Sequence, residues 1–303
     1  MIEILFLGTG ASIPSRERAM PCAAVRCGTD IVLFDCGEGT QRQMMISPFS
    51  FMKIKGIFIT HMHGDHFLGL PGLLQTMGLS GRKDRLTVCG PKGLSAALNA
   101  ILSVCEGSIE YELDIREVGH GDLIDLGKFN VYVFRTEHTA ESFGYKLSEK
   151  GSRGRFNKER AIKLGLSPGP DFSKLQNGET VGGVTPDMVM GPSRPGCSIV
   201  YSGDTSPCRE LAAAAAGADA LIHESTFSGK ESKLAADHKH STSLQAAETA
   251  KACGCRALFL IHISNRYDDR TKIEEEAKAV FPDTAAPKDM DMYKVSKDAV
   301  LRV

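Results

Sequence analysis

Thr60-His61-Met62-His63-Gly64-Asp65-His66-Phe67-Leu68-Gly69-Leu70-Pro71-Gly72 is the stretch that decides how this chain is built. Its core spacing, H-x-H-x-D-H, sets four metal-competent side chains within six residues. The preceding segment, Ile54-Lys55-Gly56-Ile57-Phe58-Ile59-Thr60, is β-branched and aromatic and reads as a buried strand. The following one, Leu68 to Leu79, is apolar and reads as a helix opening through Pro71. The four donors therefore sit on a strand-to-helix turn, where rigid flanks can aim them at one point. Imidazole nitrogens and a carboxylate suit a divalent transition metal such as zinc. So many neighbouring donors on one short loop point to two metals rather than one. A turn that is His-rich by chance would cluster ionisable groups with nothing to offset the cost.

Working outward, 303 residues can bury a large core, as one big α/β domain or two smaller ones. A formal net charge of −1 gives no global attraction to nucleic acid, so any RNA-binding surface has to be local. The nine cysteines are odd in number and lack framework spacing, which points to reduced thiols and a cytosolic, cytoplasmic location. Cys253-Gly254-Cys255 reads as structural. Met1 to Leu7 reads as a short strand carrying an acid, not as a signal peptide, and no apolar run approaches a membrane span.

The rest of the chain alternates strands and helices, and several strands end on chemistry. Ile31 to Phe34 runs into Asp35, Asn130 to Phe134 towards His138, and Ser198 to Tyr201 towards Asp204. Ala220 to Ile222 leads to His223-Glu224-Ser225-Thr226, and Ala257 to Ile261 delivers His262. His240-Ser241-Thr242 precedes the helix Leu244 to Ala252, where a capping role and a catalytic one are both open. His138 alone would read as a surface histidine; its place after a strand favours metal. A helix is expected over Gly93 to Val104 and a closing strand over Ala299 to Val303. Between Lys146 and Lys163 the rhythm breaks, with seven basic residues against two acids, followed by a glycine- and proline-rich stretch.

The H-x-H-x-D-H turn is the signature of the metallo-β-lactamase superfamily. Phe6 to Ser15 (FLGTGASIPS), Asp35 to Gln43 (DCGEGTQRQ) and Gly154 to Glu179 (GRFNKERAIKLGLSPGPDFSKLQNGE) narrow the resemblance to its tRNase Z family, which acts on the 3′ ends of tRNA precursors. The resemblance implies an α/β fold, the four-layer αβ/βα sandwich, as a single domain over 1–303 with a protruding, flexible basic arm inserted at 148–182. It implies two zinc ions per subunit, with manganese or iron also suited to the donors: His61, His63 and His138 on one, Asp65, His66 and His262 on the other, and Asp204 between. Spacing alone does not supply that partition. Asp35 would hydrogen-bond the histidine loop. His240 would act as general acid with Glu224 orienting it, and Asp65 could receive a proton from the attacking water. Arg153, Arg155, Lys158, Gly169, Pro170 and Lys174 would contact the tRNA elbow, largely through phosphates.

The implied reaction is hydrolysis just after the discriminator base, leaving a 3′-hydroxyl on the tRNA and a 5′-phosphate on the trailer, usually by a homodimer. One departure stands out. Where many family members have a Pro-x-Lys-Arg type loop before the Gly-Asp-Thr strand, this chain has Gly191-Pro192-Ser193-Arg194-Pro195-Gly196, without the lysine. Cleavage position and tolerance of a CCA end are open on that account. Two rival classes share features: a hydrolase for a small phosphodiester, sulfate ester or thioester, and a non-catalytic RNA-binding relative. The basic arm argues against the first and the full donor set against the second.

Overall fold

The computed structural model describes residues 1–105, 109–151, 153–193 and 195–303. The chain divides into two compact units, one formed by Met1–Glu149 with Cys197–Val303, the other by Lys150–Gly196.

The larger unit is built on two sheets. In chain order its strands are β1 (Ile2–Gly8), β2 (Cys22–Cys27), β3 (Asp30–Phe34), β4 (Ile54–Phe58), β5 (Leu86–Gly90), β6 (Leu113–Glu117), β7 (Leu123–Asp125) and β8 (Phe129–Arg135). Then come β9 (Phe143–Glu149), β10 (Ser198–Tyr201), β11 (Ala220–Glu224), β12 (Leu258–Ile261), β13 (Thr284–Ala285), β14 (Met292–Val295) and β15 (Val300–Arg302). One sheet runs β15-β14-β1-β2-β3-β4-β5-β6 and the other β13-β12-β11-β10-β9-β8-β7.

Side-chain alternation explains the layering. Along β1, Ile4 and Phe6 face a core shared by both sheets, while Leu5 and Leu7 face helices on the outside. Along β10, Ile199 and Tyr201 join the shared core, while Val200 packs under the helices of the second sheet. The helices Thr40–Ile46, Leu70–Leu79 and Leu94–Val104 cover the first sheet, and Arg209–Ala215, Ser243–Ala252 and Thr271–Lys278 the second. The result is the four-layer αβ/βα sandwich expected from the sequence. Among the described residues, no helix is long and apolar enough to cross a membrane.

Local departures have steric or pairing causes. The helix expected over Leu68 to Leu79 starts at Leu70, and a separate short helix, Gly64–Phe67, precedes it. The break falls at Gly69, whose N–H donates to the Cys36 carbonyl at 3.0 Å and where a Cβ would lie 1.9 Å from the Gly37 oxygen. The closing strand over Ala299 to Val303 is half of a hairpin with β14, which pairs with β1. Phe34 stacks on Tyr201 (5.3 Å) and Tyr145 (6.0 Å) between the sheets, and both tyrosine hydroxyls reach polar partners at the sheet ends.

The smaller unit has its own core of Ala161, Phe172, Leu175, Val184 and Val189, with Phe156, Leu166 and Val181 packed against it. Its helices are Lys158–Lys163, capped by the Asn157 side chain, Pro170–Asn177 and Pro186–Val189. Arg194, singled out in the sequence, lies outside the described residues.

Candidate metal centre

β4 ends at Phe58, and the chain then turns through His61 and His63 into the short helix Gly64–Phe67, which carries Asp65 and His66. This brings the donor atoms of one loop together. His61 Nε2 lies 2.9 Å from His63 Nδ1, and His138 Nε2, arriving after β8, is 3.3 Å from the same His63 atom. Asp65 Oδ2 lies 3.5 Å from His66 Nε2 and 3.4 Å from His262 Nε2, which follows β12. Asp204, after β10, stands between the two groups. Its Oδ2 is 3.8 Å from His61 Nε2, 3.4 Å from His66 Nε2, 4.0 Å from His138 Nε2 and 3.3 Å from His262 Nε2. Gly203 (φ +60) lets this strand end turn tightly: a Cβ there would lie 2.8 Å from Thr60 Cβ and Cγ2.

The outer nitrogens of four histidines are already engaged, which turns their other nitrogens inward. His66 Nδ1 donates to Asp35 Oδ2 (2.7 Å), and His138 Nδ1 to the Lys239 carbonyl (3.1 Å). His262 Nδ1 donates to Thr226 Oγ1 (2.8 Å), whose own proton goes to Glu224 Oε2 (2.7 Å). His61 Nδ1 donates to Thr60 Oγ1 (3.0 Å), which in turn donates to Asp35 (2.9 Å). Each bond selects the tautomer whose Nε2 carries a lone pair into the centre. Burial, then the neighbouring His66, holds His61 well below its ordinary range, so it is neutral and able to ligate.

The fit to a metal rests on what is left over. Among the described residues, His66 Nε2 and Asp204 Oδ1 are buried and make no hydrogen bond. Two orphaned donor atoms inside a cluster of imidazoles and carboxylates would be costly without a cation. Nitrogen and oxygen donors, without thiolate, suit a borderline divalent ion. The triads His61–His63–His138 and Asp65–His66–His262 each converge closely enough to hold one, with Asp204 reaching both.

Known proteins resemble this chain along nearly its whole length. A "Ribonuclease Z" of Methanosarcina acetivorans is 43% identical over 295 residues, covering 96% of this chain and 97% of the relative. One from Methanosarcina mazei is 42% identical over 297 residues, covering 96% and 97%. This chain belongs to the ribonuclease Z family. The crystal structure of human tRNase Z, short form, superposes with a TM-score of 0.72 at 28% identity, covering 97% of this chain and 99% of that one. Residues 2–153 also match, and belong to, the family described as "Anti-Pycsar protein Apyc1". That match spans the histidine turn and His138 but stops short of Asp204, His240 and His262.

Beside these candidate metal donors lies a second constellation. His240 Nδ1 donates to Glu224 Oε1 at 2.8 Å, and its ring stacks on that of His262 (5.4 Å) and lies tilted against that of His138 (5.0 Å). Glu224 is buried and also accepts from Thr205 N (2.9 Å) and Thr226 N (3.1 Å). Burial pushes the Glu224 carboxyl up, but the charge and hydrogen bond of His240 hold it below its usual range. Burial alone would push His240 down; the Glu224 carboxylate overrides it and lifts the imidazole to about 9. The Glu224 carboxylate thus favours the protonated imidazole, whose side chain is 13% exposed.

Sequence reasoning did not single out Tyr201, whose hydroxyl donates to Asp35 Oδ2 across the two sheets (2.9 Å), nor the roles of Thr60 and Thr226. Thr60 and Thr226 sit inside quoted motifs and could have been read as hydroxyl bridges. Tyr201 reads as an ordinary core aromatic. In the smaller unit, Arg153, Arg155, Lys158, Gly169, Pro170 and Lys174 are all exposed; Gly169 has φ +145 and precedes the helix that contains Pro170 and Lys174.

Proposed function

We propose that this protein is the endoribonuclease that removes the 3′ trailer from precursor tRNA, cutting after the discriminator base to leave a 3′-hydroxyl on the tRNA and a 5′-phosphate on the trailer. Membership of the ribonuclease Z family carries this reading. His61, His63 and His138 would hold one divalent ion, Asp65, His66 and His262 the other, with Asp204 shared. Zinc is the ion proposed, and manganese or iron suits the same donors. When bound, such a pair supplies Lewis acidity that acidifies water and offsets charge building up on the phosphorus. Asp65 would take up the proton released from the attacking water. His240, charged and oriented by Glu224, delivers the proton to the departing 3′ oxygen.

The smaller unit, Lys150–Gly196, is assigned to tRNA. Its exposed Arg153, Arg155, Lys158 and Lys174 offer phosphate contacts that a chain of net charge −1 otherwise lacks, so binding should weaken steeply with salt. A cytoplasmic homodimer completes the reading. The test replaces Lys150–Gly196 with a short Gly-Ser turn. Glu149 N donates to the Cys197 carbonyl at 2.8 Å, so the two ends already meet as neighbouring strands. The intact chain should cut a 3′-extended tRNA once, at the discriminator. The shortened chain should lose that cleavage and keep turnover of a small phosphodiester. Turnover of the small ester by the intact chain with no tRNA cleavage would favour the small-ester hydrolase instead.

A further inference from the structure

Arg18 is buried, 5% exposed, yet among the described residues it forms no ion pair. Its guanidinium spends its donors on three backbone carbonyls of one segment. Nη1 donates to Ile263 O (3.2 Å) and Ser264 O (3.1 Å), and Nη2 to Tyr267 O (2.5 Å). That segment begins immediately after His262, which holds a positive φ of 54. A non-glycine residue in the left-handed region is strained and persists only where its surroundings hold it. A forked cation gripping the first, second and fifth carbonyls beyond it is such a hold.

The loop that carries Arg18 is itself pinned. Asp289 accepts from Thr9 N (3.0 Å) and Thr9 Oγ1 (2.7 Å) at one end and from Ala19 N (2.6 Å) at the other. Between these ends Ser12, also at positive φ (59), donates its N–H to Asp65 Oδ2 at 2.9 Å. Thr9 O accepts from Ile263 N at 3.2 Å. The same loop therefore touches Asp65 through Ser12 and braces His262 through Arg18. Asp65 and His262 belong to one of the two donor triads. His61 and His63 receive no hydrogen bond from this loop, and His138 Nδ1 is fixed by Lys239.

We infer that Arg18 is a positioning residue for one metal position only: by clamping Ile263–Tyr267 it sets His262 against Asp65 and His66 and leaves the His61–His63–His138 position untouched. This rests on the metal reading proposed above. Lysine cannot replace the fork, because one ammonium cannot span three carbonyls with the same geometry.

The experiment titrates metal-free protein with Co(II) and follows both ligand-field absorption and bound cobalt. Wild type should bind two ions. Arg18→Lys should bind one with unchanged affinity and the other about 10- to 100-fold more weakly. Arg18→Ala should behave likewise and recover on adding methylguanidinium. His262→Ala should lose the same ion as Arg18→Lys, and His63→Ala the other. Equal loss of both ions in Arg18→Lys, loss of neither, or a lowered melting temperature as the sole change overturns the inference. Wild type binding fewer than two ions, or His262→Ala still binding two, would instead show that the metal reading has failed.

Discussion

Asp35→Asn is a perturbation that leaves shape almost unchanged and reverses one hydrogen bond. Asp35 is fully buried and accepts from Thr60 N (2.8 Å) and Thr60 Oγ1 (2.9 Å) through Oδ1, and from Tyr201 OH (2.9 Å) and His66 Nδ1 (2.7 Å) through Oδ2. Its φ of 58 is one that asparagine tolerates, so the backbone should not move. With the amide oxygen kept towards Thr60, the NH₂ group faces Tyr201 and His66. Tyrosine can rotate its proton away and accept. His66 cannot keep both its Nδ1 proton and a donor opposite it. It either loses a charge-assisted bond or moves its proton to Nε2, the atom that has to carry the lone pair. A lost charge-assisted hydrogen bond amounts to about 2 kcal/mol, or about 30-fold in metal affinity. The assay is competition for zinc against a chromophoric chelator at pH 7.5, with small-phosphodiester turnover measured across free zinc. The variant should need about 30 times more zinc for half-maximal turnover while folding normally by circular dichroism. An unchanged zinc requirement would refute the claim that Asp35 selects the His66 tautomer.

His240→Ala should slow precursor cleavage by about 10²- to 10⁴-fold with metal content unchanged, measured by single-turnover kinetics and elemental analysis; loss of metal would make His240 a ligand. Asp219 offers a pH prediction away from the centre. Burial pushes its carboxyl up, but Lys297 (2.7 Å), Ser198 N (2.8 Å) and Arg256 (3.1 Å) hold it below its usual range. A depressed folded-state pKa means the stabilisation is present above the unfolded value, about 3.9, and is lost as pH falls through the folded one. Asp219→Asn should therefore be less stable than wild type at pH 7, by about 1 kcal/mol because both cations reach solvent, with the gap closing below about pH 4 in urea melts. A constant gap across that range would show that packing, not charge, sets the cost.

Much of the fold was legible because its causes are local. Strands such as Ile31 to Phe34 and Ser198 to Tyr201 announce themselves by β-branched and aromatic runs, and the structure places them within a residue of the expected bounds. Strands with mixed polarity, such as β6 (Leu113–Glu117) at a sheet edge and β9 (Phe143–Glu149), gave no such signal. β6 is paired with β5, and β9 lies between its chain neighbour β8 and β10, so tertiary pairing rather than side-chain pattern holds them. The three short helices of Lys150–Gly196 were likewise hidden in a glycine- and proline-rich composition, because a core as small as that around Phe172 and Leu175 leaves little periodicity.

The sequence by itself determined the donor types and their order: four of the seven sit within six residues, and the others each follow a strand. Only the tertiary structure decided which atoms meet. Tyr201 and Asp35 are 166 residues apart, and Arg18 and Ile263 are 245 apart. No local pattern encodes such pairs, because a hydrogen bond depends on ångström-scale placement that the packing of two sheets supplies. The tautomer of each histidine, the proton on His240 and the strained turn at His262 follow from that packing. Residue identity makes the chemistry possible, and the meeting of the two sheet edges orients it.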